Sequence, residues 1–391
     1  MIKILIVDDS VVFRKILQDA LSKTSGIRVV GTANNGKKGI EKIKQLKPDL
    51  VILDVEMPEM DGLQTLDEIR RQRLKVGVIM FSSLTSKGAQ TTLEALSKGA
   101  FDFVPKPTGT GAFSESVKRI KEELIPKIKA FAVSRHQIRR PLRRPTTTPV
   151  RPLINRTIKA SVSSKAEKQV TTNKTVSKPL NKTISVPRPF LRPEVVAIGV
   201  STGGPNALNE VIPKFPKNFP VPILLVQHMP PVFTAQLAKR LNDKSQLNVI
   251  EAKAGDIIKA GTVYIAPGDY HMEVGTSGTA KIIKLNQKPP VNSCRPAVDV
   301  MFKSVANVYG GRVVAVIMTG MGQDGFEGCK VLKQKGAAII AQDRETSVVW
   351  GMPKFVTEAG LADKVCPLDR IAITVQEFCS FSMVRKAAGT N

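Results

Sequence analysis

Three residues with the chemistry of a nucleophile, a base and an acid follow apolar runs in the second half of the chain. Ser201 ends the run VVAIGVS, His228 ends VPILLVQH, and Asp324 lies in the segment MTGMGQDG, which follows VVAVI. A serine hydroxyl becomes a strong nucleophile only when a base takes its proton, and a carboxylate fixes the tautomer of that base. These residue types therefore predict acyl transfer, provided that the fold brings them together.

The turn after Ser201, STGGP, has two alternative uses. Gly203 and Gly204 permit a tight strand-to-helix turn, and the backbone N–H groups there and near Met321 would stabilise an oxyanion, with Thr202 and Met321 as the candidates. The alternative is a phosphate-binding loop. STGGP lacks the Gly-Lys-Ser/Thr ending of a Walker loop and the G-x-G-x-x-G of a dinucleotide site. The order Ser, His, Asp also differs from that of common α/β-hydrolases.

Both the base and the acid have rivals. His136 lies at the edge of a basic segment, and His271 lies in APGDYHM, where a surface or sheet-edge role is expected. We prefer His228 because it directly follows an apolar strand. Each rival of Asp324 would otherwise be a turn or cap residue. Asp299, in RPAVDVMF, is expected within a helix, where it would orient the loop. These rivals are Asp256, Asp269, Asp299 and Asp343.

A second group of polar residues follows the apolar runs of the first half. Asp8 and Asp9 end the first predicted strand, Asp54 ends the third, Ser82 ends the fourth, and Lys106 follows the fifth. Clustered carboxylates repel one another unless a cation lies between them, and oxygen ligands of this kind suit Mg²⁺. Magnesium beside Asp54 would make its carboxylate a phosphoryl acceptor, with Ser82 and Lys106 on the phosphoryl oxygens. The alternative, that each aspartate caps a helix, accounts poorly for the whole set.

The elements that must position these residues form two similar patterns. Apolar strands alternate with helical periodicity in both halves, which predicts two α/β domains with doubly wound parallel sheets, the first flavodoxin-like and the second Rossmann-like. Ligands of such sheets bind at the carboxyl ends of the strands, so Ser201, His228 and Asp324 are expected to meet. The domains are predicted over 1–130 and 194–391. The stretch TVYIAPGDYHMEVGTSGTAKIIKL is expected to have hairpin character.

The positive charge is concentrated between these two domains. The 391-residue chain has a net charge of +26, and positions 126–193 hold 17 Lys and Arg against one acid, Glu167. This composition, rich in Pro, Thr and Ser, predicts a disordered basic linker over 131–193. A solvated tether is the expected role, and binding to an anionic partner is the alternative. A nucleic-acid partner is not favoured, because the segment lacks a recognition helix and interleaved aromatic residues.

The sequence also indicates where the protein resides. No apolar run approaches the roughly 18 to 20 residues that cross a bilayer, which predicts no membrane insertion. Asp8 and Asp9 interrupt the N-terminal run where a signal peptide would continue, so a cytoplasmic location is expected. Reduced thiols and no metal cage are predicted, because C-x-x-C spacing and the density of a disulfide scaffold are both missing among Cys294, Cys329, Cys366 and Cys379.

The first half resembles the receiver domain of two-component response regulators over essentially its whole length. The paired acids at 8–9, the D-x-x-M-P-x-M-D-G run from Asp54 to Gly62, and the Lys106-Pro107 pair carry this resemblance. It implies that a histidine kinase phosphorylates Asp54.

The same resemblance implies a metal site and a switch. The implied Mg²⁺ ligands are Asp8 or Asp9, Asp54 and the carbonyl of Glu56. The implied switch residues are Ser82, Phe103 and Lys106. Phe103 stands where tyrosine is often found, so an aromatic flip is retained while the hydroxyl bond of the switch is not.

The second half resembles the catalytic domain of chemotaxis protein-glutamate methylesterases, through IGVSTGGP, QHMP, APGDYHM, RPAVDVMF and MTGMGQDG. The resemblance implies Ser201 as nucleophile, His228 as general base and Asp324 as orienting acid, with no cofactor for the esterase step. It further implies glutamyl methyl esters on methyl-accepting chemoreceptors as substrate, deamidation of glutamine at similar sites, and inhibition by the unphosphorylated receiver. The basic linker and Cys294 depart from the family pattern. An esterase or amidase acting on a small metabolite is the rival.

Overall fold

The computed structural model describes residues 1–107, 113–138 and 191–387, which form two α/β units. We call 1–138 the N-terminal unit and 191–387 the C-terminal unit. The predicted fold class, two parallel sheets with helices, is confirmed. Most of the predicted linker, 139–190, lies outside the described residues. The helix before it continues to Ile138, beyond the boundary predicted at 130.

The described residues of the N-terminal unit form five strands and five helices. The strands are β1 (Ile2–Val7), β2 (Ile27–Ala33), β3 (Leu50–Asp54), β4 (Gly77–Ser82) and β5 (Asp102–Pro105). The helices are α1 (Val11–Ser22), α2 (Gly36–Leu46), α3 (Gly62–Arg71), α4 (Ser86–Ser97) and α5 (Phe113–Ile138). The sheet order is β2-β1-β3-β4-β5, and all of its pairs are parallel. Side chains that accept backbone N–H groups start several helices, among them Ser10 for α1 and Asp61 for α3.

The C-terminal unit contains a seven-stranded parallel sheet. Its strands are β6 (Val195–Val200), β7 (Ile223–Gln227), β8 (Asn248–Glu251), β9 (Thr262–Ile265), β12 (Val313–Ile317), β13 (Ala338–Gln342) and β14 (Lys364–Cys366). A separate hairpin joins β10 (His271–Ser277) to β11 (Ala280–Asn286). The helices are α6 (Gly204–Val211), α7 (Phe233–Asn242), α8 (Val298–Tyr309), α9 (Phe326–Gln334), α10 (Met352–Glu358) and α11 (Leu368–Ala387).

The sheet order β14-β13-β12-β6-β7-β9-β8 places the chemically important strand ends side by side. All residues of β6, β7 and β12 are buried, as expected for parallel strands covered on both faces. Because β6 lies between β12 and β7, the residues that follow these three strands share one edge of the sheet. The sequence patterns missed β8 and β14 altogether. The predicted hairpin is β10 and β11 only, since β9 belongs to the large sheet.

The two units pack against each other at this edge. Helix α4 lies against α6 and α7, and the carbonyl of Leu96 accepts a 2.7 Å hydrogen bond from the Asn206 amide. The rings of Phe103 and Phe233 stack with centroids 4.5 Å apart and planes within 10° of parallel. The N-terminal unit thereby covers the carboxyl edge of the large sheet. Among the described helices, none is long and apolar enough to cross a membrane.

Candidate active site

The histidine and the aspartate that follow β7 and β12 form a direct pair. Nε2 of His228 lies 2.8 Å from Oδ2 of Asp324, and both side chains are largely shielded from solvent. The backbone of His228 is fixed by its N–H bond to the carbonyl of Val200 in β6. Strands β7 and β12, which lie on either side of β6, thus bring together two residues that are far apart in the sequence, as the edge rule for parallel sheets predicts.

The Asp324 carboxylate is held by the start of helix α8. Its Oδ2 accepts the backbone N–H of Val298 at 2.6 Å, and its Oδ1 accepts those of Asp299 at 3.1 Å and Gly325 at 3.0 Å. Burial raises the pKa of Asp324, but the bonds from His228 and from these N–H groups outweigh it and hold the pKa below its usual value. The carboxylate is therefore an anion that orients and stabilises a protonated imidazole.

The other ring nitrogen of His228 contacts a cysteine rather than the serine. Nδ1 lies 3.4 Å from Sγ of Cys294. Burial lowers the pKa of His228, but its contacts with Cys294 and Asp324 raise it, to about 10. The hydroxyl of the partly buried Ser201 makes no hydrogen bond within the part of the chain that the structure describes. All of these side chains except the Asp324 carboxylate line one cavity.

The turn after Ser201 presents unused backbone donors to the same cavity. Among the described residues, the N–H groups of Thr202 and Met321 donate to no acceptor, and both residues line the cavity. The turn requires glycine at Gly203, where φ is +79° and a Cβ would lie 2.6 Å from Val348. Two free N–H groups beside a serine can stabilise a negatively charged oxygen.

Three supporting residues escaped the sequence reasoning. The amide of Gln227 donates to the carbonyls of Ser201 and His228, at 3.0 and 3.2 Å. Asn292 donates one amide nitrogen to both Asp324 and Asp299, each at 3.0 Å. Cys294 is the third. Gln227 was detectable as a polar residue ending an apolar strand, whereas Asn292 and Cys294 lie in a loop without periodicity.

The rivals of the two candidates have other roles. Asp299 accepts the N–H of Gly328 at 2.7 Å, and burial raises its pKa. Asp256 bonds within its own turn, Asp269 pairs with Arg295, and Asp343 bonds the turn residue Thr346. Of the surface or sheet-edge role expected for His271, only the surface alternative is wrong. His271 begins β10, a strand of the two-stranded hairpin sheet, but its side chain is buried and bonds the carbonyl of Pro289 and the N–H of Ala297. The side chain of His136 lies outside the described residues.

The cavity that contains Ser201 lies between the two units. Its volume is about 470 Å³, and its N-terminal wall includes Asp102, Phe103 and Lys127. The hydroxyl of Thr202, next to Ser201, donates to Oδ2 of Asp102 at 2.9 Å, and both side chains are buried. Nζ of Lys127 lies 3.3 Å from the other oxygen of that carboxylate. A charged hydrogen bond therefore ties the N-terminal unit to the residue beside Ser201.

The acidic group of the N-terminal unit also assembles at a sheet edge. Carboxylate oxygens of Asp8, Asp9 and Asp54 lie within 4.8 Å of one another. Nζ of Lys106 lies 3.1 Å from Oδ2 of Asp8 and 2.8 Å from Oδ2 of Asp54, yet neither buried oxygen accepts a well-directed hydrogen bond from a described residue. Burial and Asp8 raise the pKa of Asp54 to about 6, although Lys106 lowers it. Hard oxygen donors with spare lone pairs fit Mg²⁺.

The remaining predicted residues of this pocket have specific positions. The backbone N–H of Glu56 donates to Oδ1 of Asp54 at 3.3 Å. The hydroxyl of Ser82 is buried and donates to the carbonyl of Gly88 in α4, so it does not contact Asp54 in this structure. Phe103 is buried between the units against Phe233.

Comparison with known proteins identifies both units. The family model of the response regulator receiver domain matches residues 4–118, and that of CheB methylesterase matches 196–375. A protein-glutamate methylesterase/protein-glutamine glutaminase of Trichodesmium erythraeum is 45% identical over 95% of this chain and 97% of its own length. One of the same name from Pyrococcus horikoshii is 44% identical over 96% and 92%.

A solved structure is also similar to part of the chain. The CheB methylesterase catalytic domain of Thermotoga maritima shows 46% identity, a TM-score of 0.47, and coverage of 48% of this chain and 99% of that one. The sequence matches extend over both units and nearly the full length of the relatives. The chain therefore belongs to the CheB methylesterase family, as an ester hydrolase that carries a response regulator receiver domain.

Proposed function

We propose that this protein is a phosphorylation-activated protein-glutamate methylesterase that hydrolyses glutamyl methyl esters on chemoreceptors during chemotactic adaptation. The observation that carries the proposal is the His228–Asp324 pair, 2.8 Å apart, whose imidazole lines the same cavity as Ser201. The same site would deamidate receptor glutamine, because an amide carbonyl accepts the same nucleophile. Similarity to a named relative, at 45% identity over 95% of the chain and so over both units, supports the assignment at the level of the reaction class.

The proposed reaction is acyl transfer through Ser201. His228 accepts the hydroxyl proton as the oxygen attacks the ester carbonyl, and the N–H groups of Thr202 and Met321 stabilise the oxyanion. Because Asp324 engages Nε2, the proton goes to Nδ1. The imidazolium returns it to the departing methoxy group, which leaves as methanol. A water molecule then gives a proton to His228 as its oxygen attacks the acyl-enzyme, and the imidazolium returns that proton to the departing Ser201 oxygen, which releases the glutamate carboxylate.

The proposed resting state is inhibited by the N-terminal unit. Asp102 and Phe103 stand in the wall of the cavity that a receptor helix must enter, and Ser201 is not bonded to its base. Docking is held by the Thr202–Asp102 bond, the Asn206–Leu96 bond and the stacked Phe103 and Phe233 rings. Phosphorylation shifts the population away from this closed form.

The phosphoacceptor in this proposal is Asp54. Asp8, Asp9, Asp54 and the Glu56 carbonyl would hold Mg²⁺, which neutralises charge on the incoming phosphoryl group when it is bound. Lys106 already lies 2.8 Å from Asp54 and would pair with a phosphoryl oxygen. A change at Asp54 reaches the interface along β4 and β5, whose residue Phe103 contacts Phe233. Ser82 would take part only after its hydroxyl turns from Gly88 toward Asp54.

The implied partners are a chemotaxis histidine kinase and methyl-accepting chemoreceptors, and the implied location is the cytoplasm. The proposed domains are a receiver over 1–130, a basic linker over 131–193 and the methylesterase domain over 194–391. Helix α5 reaches Ile138 and β6 begins at Val195, which supports a junction between these elements.

The test is methanol release from methylated receptor membranes, with and without a small phosphodonor. Wild type should release methanol faster with the phosphodonor, and Ser201→Ala should release none while keeping its thermal unfolding transition. Release by Ser201→Ala at the wild-type rate would reject the assignment. Hydrolysis confined to small methyl esters, with none from receptor membranes, would instead favour a metabolite esterase.

A further inference from the structure

We propose that Cys294 is a positioning residue for the catalytic imidazole: its thiol occupies Nδ1 of His228 in the docked form and competes there with the Ser201 hydroxyl. This inference rests on the proposed serine-hydrolase function. It adds a third partner to the base and makes exchange of that partner, from thiol to hydroxyl, a part of activation.

The two ring nitrogens of His228 have separate partners. Oδ2 of Asp324 engages Nε2 at 2.8 Å, so Nδ1 is the nitrogen left to accept the Ser201 proton. Sγ of Cys294 lies 3.4 Å from this Nδ1, within reach of a sulfur hydrogen bond. Among the described residues, Cys294 is the hydrogen-bond partner of Nδ1, and Ser201 makes no such bond. The base is therefore occupied on both sides while the N-terminal unit is docked.

A tight turn fixes the thiol in this position. The backbone groups of Val291 and Cys294 bond each other in both directions, at 3.1 and 2.9 Å. Between them, Asn292 and Ser293 have φ values of +52° and +61°, which closes the turn. The Asn292 amide of the same turn donates to Asp324 at 3.0 Å. One turn thus contacts the imidazole through its thiol and the orienting carboxylate through its amide.

Cys294 differs from the other three cysteines in exposure. Cys329, Cys366 and Cys379 are buried, whereas Cys294 is partly exposed and lines the cavity beside Ser201. The thiol of Cys294 is in hydrogen-bond contact with the His228 imidazole, and the reactivity of a thiol depends on such a neighbour. A thiol reagent that enters this cavity should therefore react with Cys294 at a rate that depends on His228.

The contact has a defined consequence for the base. Sharing a proton with the thiol favours the protonated imidazole, which cannot accept the proton of Ser201. Removing the thiol should leave Asp324 as the main group that favours the protonated form of the His228 imidazole. Other charged side chains face the same cavity and remain in place, namely Asp102, Glu122, Glu123, Lys127 and Arg295. Asp299 also remains, through its shared Asn292 amide.

The first test measures the thiol without using esterase activity. Full-length Ser201→Ala and the double variant Ser201→Ala/His228→Gln are treated with iodoacetamide at neutral pH, and the Cys294 peptide is quantified by mass spectrometry. Alkylation should be severalfold slower in the double variant, because the thiol no longer contacts an imidazole. Equal rates would overturn the proposal.

The second test measures the base. In Cys294→Ala, the acid limb of kcat/KM for methanol release should move to lower pH by about one unit, because the imidazole loses its proton more readily. Ser293→Ala is the matched control from the same turn, since Ser293 makes no described hydrogen bond to the imidazole, and its limb should match wild type. If the acid limb of kcat/KM in Cys294→Ala lay at the same pH as in wild type, the result would count against the proposal.

The two tests separate this proposal from the proposed function. If no variant or wild type releases methanol, the methylesterase assignment fails, while the alkylation comparison still reports on the Cys294–His228 contact. Suppose that wild type releases methanol, that Ser201→Ala does not, and that Cys294 is alkylated at the same rate with and without His228. The methylesterase assignment then stands, and the positioning role of Cys294 is rejected.

Discussion

Breaking the bond between Asp102 and Thr202 should activate the esterase without phosphorylation. The Thr202 hydroxyl and the Asp102 carboxylate are both buried and lie 2.9 Å apart, and they belong to different units. Asp102→Ala leaves the hydroxyl without this acceptor in the docked form. In the undocked form the same hydroxyl bonds to water. The substitution therefore destabilises the docked form, and within the N-terminal unit it also removes the bonds from the Phe103 N–H and from Lys127.

The size of the effect follows from the charge of the acceptor. A hydrogen bond to a charged group contributes about 1.5 to 3 kcal/mol. That free energy corresponds to a shift of roughly 10- to 150-fold in the equilibrium between docked and undocked forms. Methanol release from methylated receptor membranes without a phosphodonor should rise by up to this factor. The ceiling is the rate of the phosphorylated wild type, at which point undocking no longer limits the reaction.

The assay needs a matched control and a check on folding. Asp19→Ala removes an aspartate of α1 whose ion pair with Lys15 is solvent-exposed, so its basal rate should equal wild type. Thermal unfolding should show that Asp102→Ala retains a folded receiver, since Asp102 also contacts Lys127. A folded Asp102→Ala protein with the wild-type basal rate would refute the claim that docking through this bond restricts the esterase.

Three further outcomes are expected. Asp324→Asn should lower kcat for methanol release about ten-thousand-fold, because an amide does not fix the tautomer of His228; a loss below about tenfold would contradict the orienting role. Asp54→Asn should keep the basal rate but show no increase with a phosphodonor, and retained activation would place the phosphoacceptor elsewhere. The pKa of folded His228 is raised, to about 10, so its contribution to stability should be complete below about pH 6.5 and lost as the pH rises through that folded value. Chemical denaturation should therefore show His228→Gln most destabilised relative to wild type at the lower pH, and a constant difference would contradict the pairing.

Sequence patterns were sufficient where chemistry and sheet topology coincide. Ser201, His228 and Asp324 follow β6, β7 and β12, and fully buried parallel strands appear in the sequence as continuous apolar runs. Since those strands are neighbours, the edge rule was enough to predict that His228 meets Asp324. It was also enough to predict the carboxylate cluster at Asp8, Asp9 and Asp54.

Sequence patterns did not predict residues whose positions depend on loops or on short edge strands. Strand β14 has only three residues, two of them exposed, so it has no apolar run to detect. Cys294 owes its position to a turn with two left-handed residues, which periodicity does not reveal. The sequence predicted a surface or sheet-edge position for His271. Its side chain is covered by the loop before α8, which forms hydrogen bonds with both ring nitrogens.

Contacts between the units were beyond sequence reasoning for a different reason. Asp102 and Thr202 are separated by 100 positions, and their bond depends on how two independently predicted sheets dock. The stacking of Phe103 on Phe233 has the same origin. Phe103 alone was a switch residue by resemblance, and only the docked arrangement gives it a partner in the second unit.

The most direct measurement of the central claim is covalent labelling of the nucleophile by a fluorophosphonate, with the modified peptide identified by mass spectrometry. Wild type should be labelled at Ser201, faster in the presence of a phosphodonor, and His228→Gln should be labelled far more slowly under both conditions. Labelling at another serine, or labelling of Ser201 at equal rates with and without His228, would contradict the account of a serine activated by the imidazole beside it.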